Sequence, residues 1–222
     1  MSTASKVWLI TGCSSGLGRE LALAALARGD RVIATARNAN KLDDLKQRGA
    51  ATVSLDVTSP DHALQQIIAD AVSVYGRIDI LFNTNVFGIT NMIRAVLPYL
   101  RAQKSGVVAN VGSIAGWRGG SVTGIYSATK NTIDDLSVIT EPRTKALAAR
   151  SGHQRGDPVK AAALLYEALT KSGRCEGRTI PSRLVIGKDA VEGVAIVLEK
   201  GQQELQAWAD LSTTTDCDDV AQ

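Results

Sequence analysis

Val7-Trp8-Leu9-Ile10-Thr11-Gly12-Cys13-Ser14-Ser15-Gly16-Leu17-Gly18 reads as a strand running into a glycine-rich turn. A helical pattern follows at once, with Leu21, Ala24, Ala25 and Ala27 on one face and Arg19 and Glu20 on the wet side. Gly29-Asp30 closes that helix, and Arg31–Ala36 is β-rich again. The opening unit is therefore βαβ, which implies parallel strands with helices laid on the sheet. Glycines spaced Gly-x3-Gly-x-Gly permit a tight turn, close approach of backbone to a phosphate and close packing of helix on strand. The free N–H groups and positive dipole end of the helix then face the same point, so the turn reads as a diphosphate-binding loop.

The alternation continues outward. Lys41–Arg48 predicts a short amphipathic helix, and Thr52–Leu55 a strand ending at Asp56. Ser59-Pro60-Asp61 reads as a helix start with proline at the first helical position, and the helix runs to Gly76. Ile78–Phe82 is a fourth strand, Val86–Gln103 a helix despite Pro98, and Val107–Val111 a fifth strand. A helix is expected around Tyr126–Leu136, after which the rhythm degrades. Pro158–Thr170 is a helix capped by Asp157 and ended by Ser172-Gly173. Leu184–Ile186 reads as a short strand, Ala190–Trp208 as a long terminal helix with Trp208 and its apolar face in the core, and Leu211–Gln222 as a loose tail. The class is α/β, a doubly wound parallel sheet with helices on both faces, in a single domain over residues 1–222.

Composition agrees. The chain has 222 residues, 45% of them hydrophobic and 21% charged, with a net charge of +3, which suits a globular domain with a sizeable core. So small an excess of positive charge argues against a nucleic-acid partner. Cys13, Cys175 and Cys217 are far apart and odd in number, which fits neither a disulfide framework nor a metal site. His62 and His153 are isolated, and no metal is expected. There is no apolar run of the roughly 20 residues a membrane helix needs, and the N-terminus reads as a strand and not as a secretory signal, so the expectation is a cytoplasmic protein.

A second pattern, Tyr126-Ser127-Ala128-Thr129-Lys130, puts a phenol and an ammonium at i and i+4, on one helix face. A neighbouring ammonium favours the phenolate and makes the tyrosine a usable proton donor and acceptor. Ser113, thirteen residues earlier at the end of the fifth strand, could hydrogen-bond a carbonyl oxygen on which charge develops.

Taken together, TGCSSGLG at 11–18, Asp56 after the third strand, NVGSIAG at 110–116 and YSATK at 126–130 resemble the short-chain dehydrogenase/reductase family, over residues 5–136 and again over about 153–219. The resemblance implies a Rossmann-type fold, a nicotinamide dinucleotide and a small-molecule alcohol or carbonyl substrate. It implies Tyr126 as general acid/base, Lys130 as its partner and nicotinamide-ribose ligand, Ser113 as the carbonyl-orienting hydroxyl and Asn85 as the asparagine of the proton relay. It also implies Gly12, Ser14, Gly16, Leu17 and Gly18 as the phosphate loop, Asp56 and Val57 as adenine contacts, and Asn83 as a cofactor neighbour. A carboxylate at the end of the second strand would select NAD(H) by bonding the ribose 2′-hydroxyl. Ala34-Thr35-Ala36-Arg37-Asn38 has no acid there, and Arg37 can pair with a 2′-phosphate, so NADP(H) is expected over NAD(H).

Three departures from the family pattern bear on activity. Asn83 runs straight into Thr84-Asn85-Val86-Phe87-Gly88, without the family's Asn-Asn-Ala-Gly turn. The crossover can still close, since Val86–Gln103 gives about 27 Å of helix against about 17 Å for a five-residue strand, but Asn85 is expected to be displaced from its relay position. Glu141-Pro142 follows so soon after Leu136 that a normal sixth strand is not expected; the sheet ends at the fifth strand or residues 184–186 take the vacant place. Most of the family's substrate-covering segment is missing after Arg143. The expected function is an NADP(H)-dependent oxidoreductase interconverting a secondary alcohol and a ketone or aldehyde carbonyl. The rival is a truncated, catalytically weak or inactive dinucleotide-binding homologue. A lost strand also implies a protein of low stability or one dependent on a homo-oligomer.

Overall fold

The computed structural model describes residues 5–83, 88–112, 156–181 and 183–213. The described residues form two compact units, one holding 5–83, 88–112 and 156–181 and the other 183–213.

The first unit is built on a parallel sheet of five strands: β1 (Val7–Ile10), β2 (Arg31–Ala36), β3 (Ala51–Ser54), β4 (Ile80–Asn83) and β5 (Val107–Asn110). Their order is β3-β2-β1-β4-β5, with Leu9 opposite Ile33 and Leu81, so the chain reverses its direction of travel between β1 and β4. That is the doubly wound arrangement, and ligands bind such sheets where the strand order reverses, beyond the carboxyl ends of the strands.

Strand alternation divides the apolar side chains between two cores. Trp8, Ile10, Val32, Ala34, Ile80 and Phe82 enter one, while Val7, Leu9, Ile33 and Leu81 enter the other. The first core is closed by α1 (Gly16–Leu26), α2 (Asp43–Gln47) and α5 (Pro158–Thr170). The second is closed by α3 (Asp61–Tyr75) and α4 (Ile89–Gln103). Burial of each large apolar side chain contributes roughly 1.5–3 kcal/mol.

Local chemistry ends these helices where they end. Gly76, at φ 76°, closes α3 in the left-handed conformation that glycine takes without strain. Asp157 caps α5, its carboxylate accepting from the Val159 and Lys160 amides. Pro60 sits one residue earlier than expected, at the N-cap of α3, because its ψ of 148° is extended and not helical. The Gln103 side chain both accepts from the Ile78 amide (3.2 Å) and donates to the Ile78 carbonyl (2.7 Å). Thus α4, with Pro98 inside it, does carry the chain back to the start of β4. It begins at Ile89 and not at Val86; residues 84–87 lie outside the described set.

One polar knot ties α5 to the sheet. The Asp30 carboxylate accepts from the Lys6 amide (2.9 Å), the Trp8 indole (2.9 Å) and the Tyr166 hydroxyl (3.0 Å). Tyr166 stacks on Trp8 at 5.6 Å between ring centroids, and the Arg28 guanidinium lies over its ring.

Two expectations are corrected. Residues 184–186 form no strand, being three residues hemmed between Pro181 and Gly187, whose φ of 105° turns the chain into the next helix. Among the described residues the sheet therefore ends at β5. The second unit's helix, α6, spans Lys188–Ser212 and is longer than expected at both ends. Val194 is buried, but most of the helix's large apolar residues are not core: Val191, Ile196, Leu198, Leu205, Trp208 and Leu211 are all exposed, Trp208 to 64%. An amphipathic stripe is buried only when another layer lies on it, and α6 is the only helix or strand among the described residues of its unit.

Candidate functional site

The carboxyl ends of β1, β2 and β3 meet around a groove of ≈ 240 Å³ lined by Gly12, Ser14, Ser15, Thr35, Ala36, Arg37, Leu55, Asp56 and Val57. Five residues singled out from the sequence, Gly12, Ser14, Arg37, Asp56 and Val57, are brought together there. Ser15, Thr35, Ala36 and Leu55 were not singled out as ligands. The signal for them is positional, since each lies within two residues of a chosen one at a strand end or in the loop.

The loop after β1 is fixed by its backbone. The Thr11 amide donates to the Phe82 carbonyl (3.0 Å), and the Cys13 amide to the Thr35 carbonyl (2.9 Å). Gly12 and Gly16 have φ of 69° and 62°, a region that only glycine enters cheaply. A Cβ on Gly16 would meet no atom within 4 Å, so the loop leaves open space at that point. A Cβ on Gly18 would lie 2.8 Å from the Gly12 carbonyl oxygen, so glycine is what lets α1 rest on the loop. Leu17 packs against the first core from the first turn of α1. Ser15, the N-cap of α1, makes no side-chain cap, and no acid stands in the first turn. The helix N-terminus is therefore left to an anion from elsewhere.

Cys13 is wholly buried beneath this loop, its thiol donating to the Ile10 carbonyl, and burial pushes its pKa up to about 12. The cysteine is packing, not chemistry. Asp56 is exposed at the far side of the groove. Its carboxylate accepts from the Thr58 hydroxyl (2.7 Å) and amide (2.9 Å), and these bonds, with a smaller effect of the Arg37 charge, hold its pKa below the usual range. Arg37 is exposed on the groove wall, and its carbonyl accepts from the Ser54 hydroxyl (3.0 Å).

Asn83 ends β4. It is buried, donates from its amide to the Asn110 side chain at 2.9 Å, and its Oδ1 has no hydrogen-bond partner. It lies outside the residues lining the groove. Asn85, Ser113, Tyr126 and Lys130 lie outside the described residues. No cluster of metal-ligating side chains occurs among the described residues, and none of the described helices is long and apolar enough to cross a membrane.

These residues fit the diphosphate and adenosine half of a dinucleotide: an uncapped helix N-terminus, an open space over Gly16, and a groove bounded by a guanidinium and a carboxylate. The chain matches the short chain dehydrogenase family over residues 6–84 and again over 81–141. It belongs to that family. The family match breaks and resumes where β4 leaves the sheet, the place where the Asn-Asn-Ala-Gly turn is missing. An oxidoreductase of Botryotinia fuckeliana is 28% identical over 277 aligned positions, which take in 94% of this chain and 98% of the relative. That alignment is longer than the 222 residues of this chain, so this family member lacks interior segments that its relative has. A crystal structure of a short-chain dehydrogenase from Streptomyces avermitilis is 30% identical, covers 97% of this chain and all of its own, and superposes with a TM-score of 0.81. A Burkholderia phymatum short-chain dehydrogenase/reductase in complex with NAD shares the fold, at 18% identity and a TM-score of 0.64 over 75% of this chain and 86% of its own. The protein is thus an oxidoreductase of the short-chain type with a Rossmann nucleotide-binding sheet.

Proposed function

We propose that the protein is an NADP(H)-dependent oxidoreductase that interconverts a secondary alcohol and a ketone or aldehyde carbonyl. The dinucleotide supplies the hydride when bound; the chain supplies grip, orientation and the proton. Gly12, Ser14 and Gly16–Gly18 take the diphosphate on the α1 N-terminus, and Asp56 and Val57 flank the adenine. Tyr126 gives its proton to the carbonyl oxygen, Lys130 lowers the pKa of that phenol, and Ser113 orients the carbonyl. Asn83 and Asn85 serve from the end of β4 and the segment beyond it.

The observation that supports NADP(H) is Arg37 on the groove wall at the end of β2, with no β2 carboxylate to hold a ribose 2′-hydroxyl. A neighbour of the same fold holds NAD, so fold alone leaves the choice to this residue. The exposed apolar residues of α6 support self-association of the chain. A second reading, a dinucleotide-binding homologue with little turnover, is supported by the interior segments that the chain lacks against its relative.

Two measurements decide. NADPH is titrated against the protein and its fluorescence followed, and a panel of ketones and aldehydes is screened for NADPH oxidation with Tyr126→Phe as control. Loss of general acid catalysis is expected to cost about 10²–10⁴-fold in turnover. Binding without Tyr126-dependent turnover supports the second reading, and absence of binding removes both.

A further inference from the structure

We propose that Asn91, with Gly88 beside it, is a positioning residue for the adenosine side of the nucleotide groove. The inference rests on the reading that this groove takes the adenosine half of a dinucleotide. Asp56 and Val57 form one wall of the groove. The turn that carries them hydrogen-bonds mainly to itself: the Thr58 and Ser59 amides both donate to Asp56. Its upstream end is held to the sheet by the Leu55 amide on the Ala36 carbonyl (2.9 Å). Its downstream end is held by α4. The Asn91 Nδ2 donates to the Val57 carbonyl at 3.1 Å, and a Cβ on Gly88 would lie 2.2 Å from the Val57 Cγ2. Only glycine at 88 lets the start of α4 come close enough for that bond.

Neither Asn91 nor Gly88 lines the groove, so each acts through Val57. Without the amide the Val57 carbonyl loses its donor in a half-buried setting, and the wall gains freedom that a bound nucleotide must then remove. The neighbouring Arg94–Asp61 ion pair joins α4 to α3, the helix that follows this turn, but is exposed on both sides, so it contributes little to holding the wall.

The test uses the whole chain and two probes, 2′,5′-ADP and NADPH, with dissociation constants measured by calorimetry and fluorescence. Asn91→Leu and Asn91→Ala both remove the donor, so that one misfolded variant leaves the other to decide, and Arg94→Ala perturbs the packing of α4 on α3. The Asn91 variants are expected to weaken both probes by the same factor, about three- to tenfold, the worth of one hydrogen bond. Arg94→Ala is expected to stay within about twofold of wild type. Asn91 variants that bind 2′,5′-ADP as tightly as wild type overturn the inference and leave the nucleotide reading standing. Equal losses in Arg94→Ala show a general loosening of the helix pair and also overturn it. Wild-type protein that binds neither probe removes the nucleotide reading itself.

Discussion

At the end of β2, Arg37 stands where a preference for NAD(H) would need a carboxylate. A charge-assisted pair with a 2′-phosphate is worth more than a neutral hydrogen bond, and the 2′-hydroxyl of NADH offers it nothing comparable. Arg37→Gln is therefore expected to weaken NADPH binding by roughly ten- to a hundredfold and to leave NADH within a few-fold, read from paired fluorescence titrations. Equal losses for both cofactors would place Arg37 outside the 2′-phosphate contact. Cys13 gives a second residue-scale outcome. Its buried thiol, with a pKa near 12, is expected to resist alkylation at pH 8 in the native protein and to react on unfolding. Labelling of Cys13 by intact-mass and peptide analysis in the folded state would show that the glycine loop opens. Gly12, Gly16 and Arg37 were legible in the sequence because strand, turn and strand end fix their places locally. Asn91 and Gly88 were not, because what they touch is Val57, on a different βα connection.

Among the elements, α5 shows what a pattern can and cannot tell. Asp157-Pro158 and Ser172-Gly173 marked both its ends. Nothing in the local spacing said that Tyr166 would reach the Asp30 carboxylate and stack on Trp8. Burial, and then the Asp30 charge and hydrogen bond, push the Tyr166 phenol up to about 12, so it stays protonated in the fold. A folded-state pKa above the unfolded value of about 10 gives stability that is complete below pH 10 and lost as pH rises toward 12. Tyr166→Phe is expected to be less stable at pH 8 by roughly 1–3 kcal/mol, the cost of a hydrogen bond to a charged group, and to lack this tyrosine's share of the alkaline loss. Urea midpoints at pH 8, 10 and 11 check it; parallel curves for the two proteins would mean that the hydroxyl does not hold its proton. The three residues at 184–186 mark the opposite limit. Their apolar character, two of the three being β-branched, suggested a strand, but with Gly187 turning the chain, composition could not make one.

For the whole molecule, the same physics sets stability against exposed apolar surface. β1, β2 and β4 are covered on both faces by two cores, and that is the part most fully legible from alternation and glycine placement. β5 is, with β3, an edge strand among the described residues, and its Val107 is 37% exposed. α6 carries Val191, Leu198, Leu205 and Trp208 at spacings of seven, seven and three residues, which put them on one helix face, each more than half exposed. Apolar surface of this kind gains free energy when two chains share it, and a state stabilised by association has a midpoint that depends on concentration. The protein is therefore expected to unfold below about 65 °C at low concentration, with a midpoint that rises as concentration increases. Paired substitutions Leu205→Glu and Trp208→Glu should lower the sedimentation-derived mass at high concentration and flatten that rise, without lowering the low-concentration midpoint, because neither side chain is buried in the chain itself. A midpoint above 65 °C that is independent of concentration would instead mean that the sheet edge and α6 are stable as they stand, and that the two cores alone hold the shortened fold.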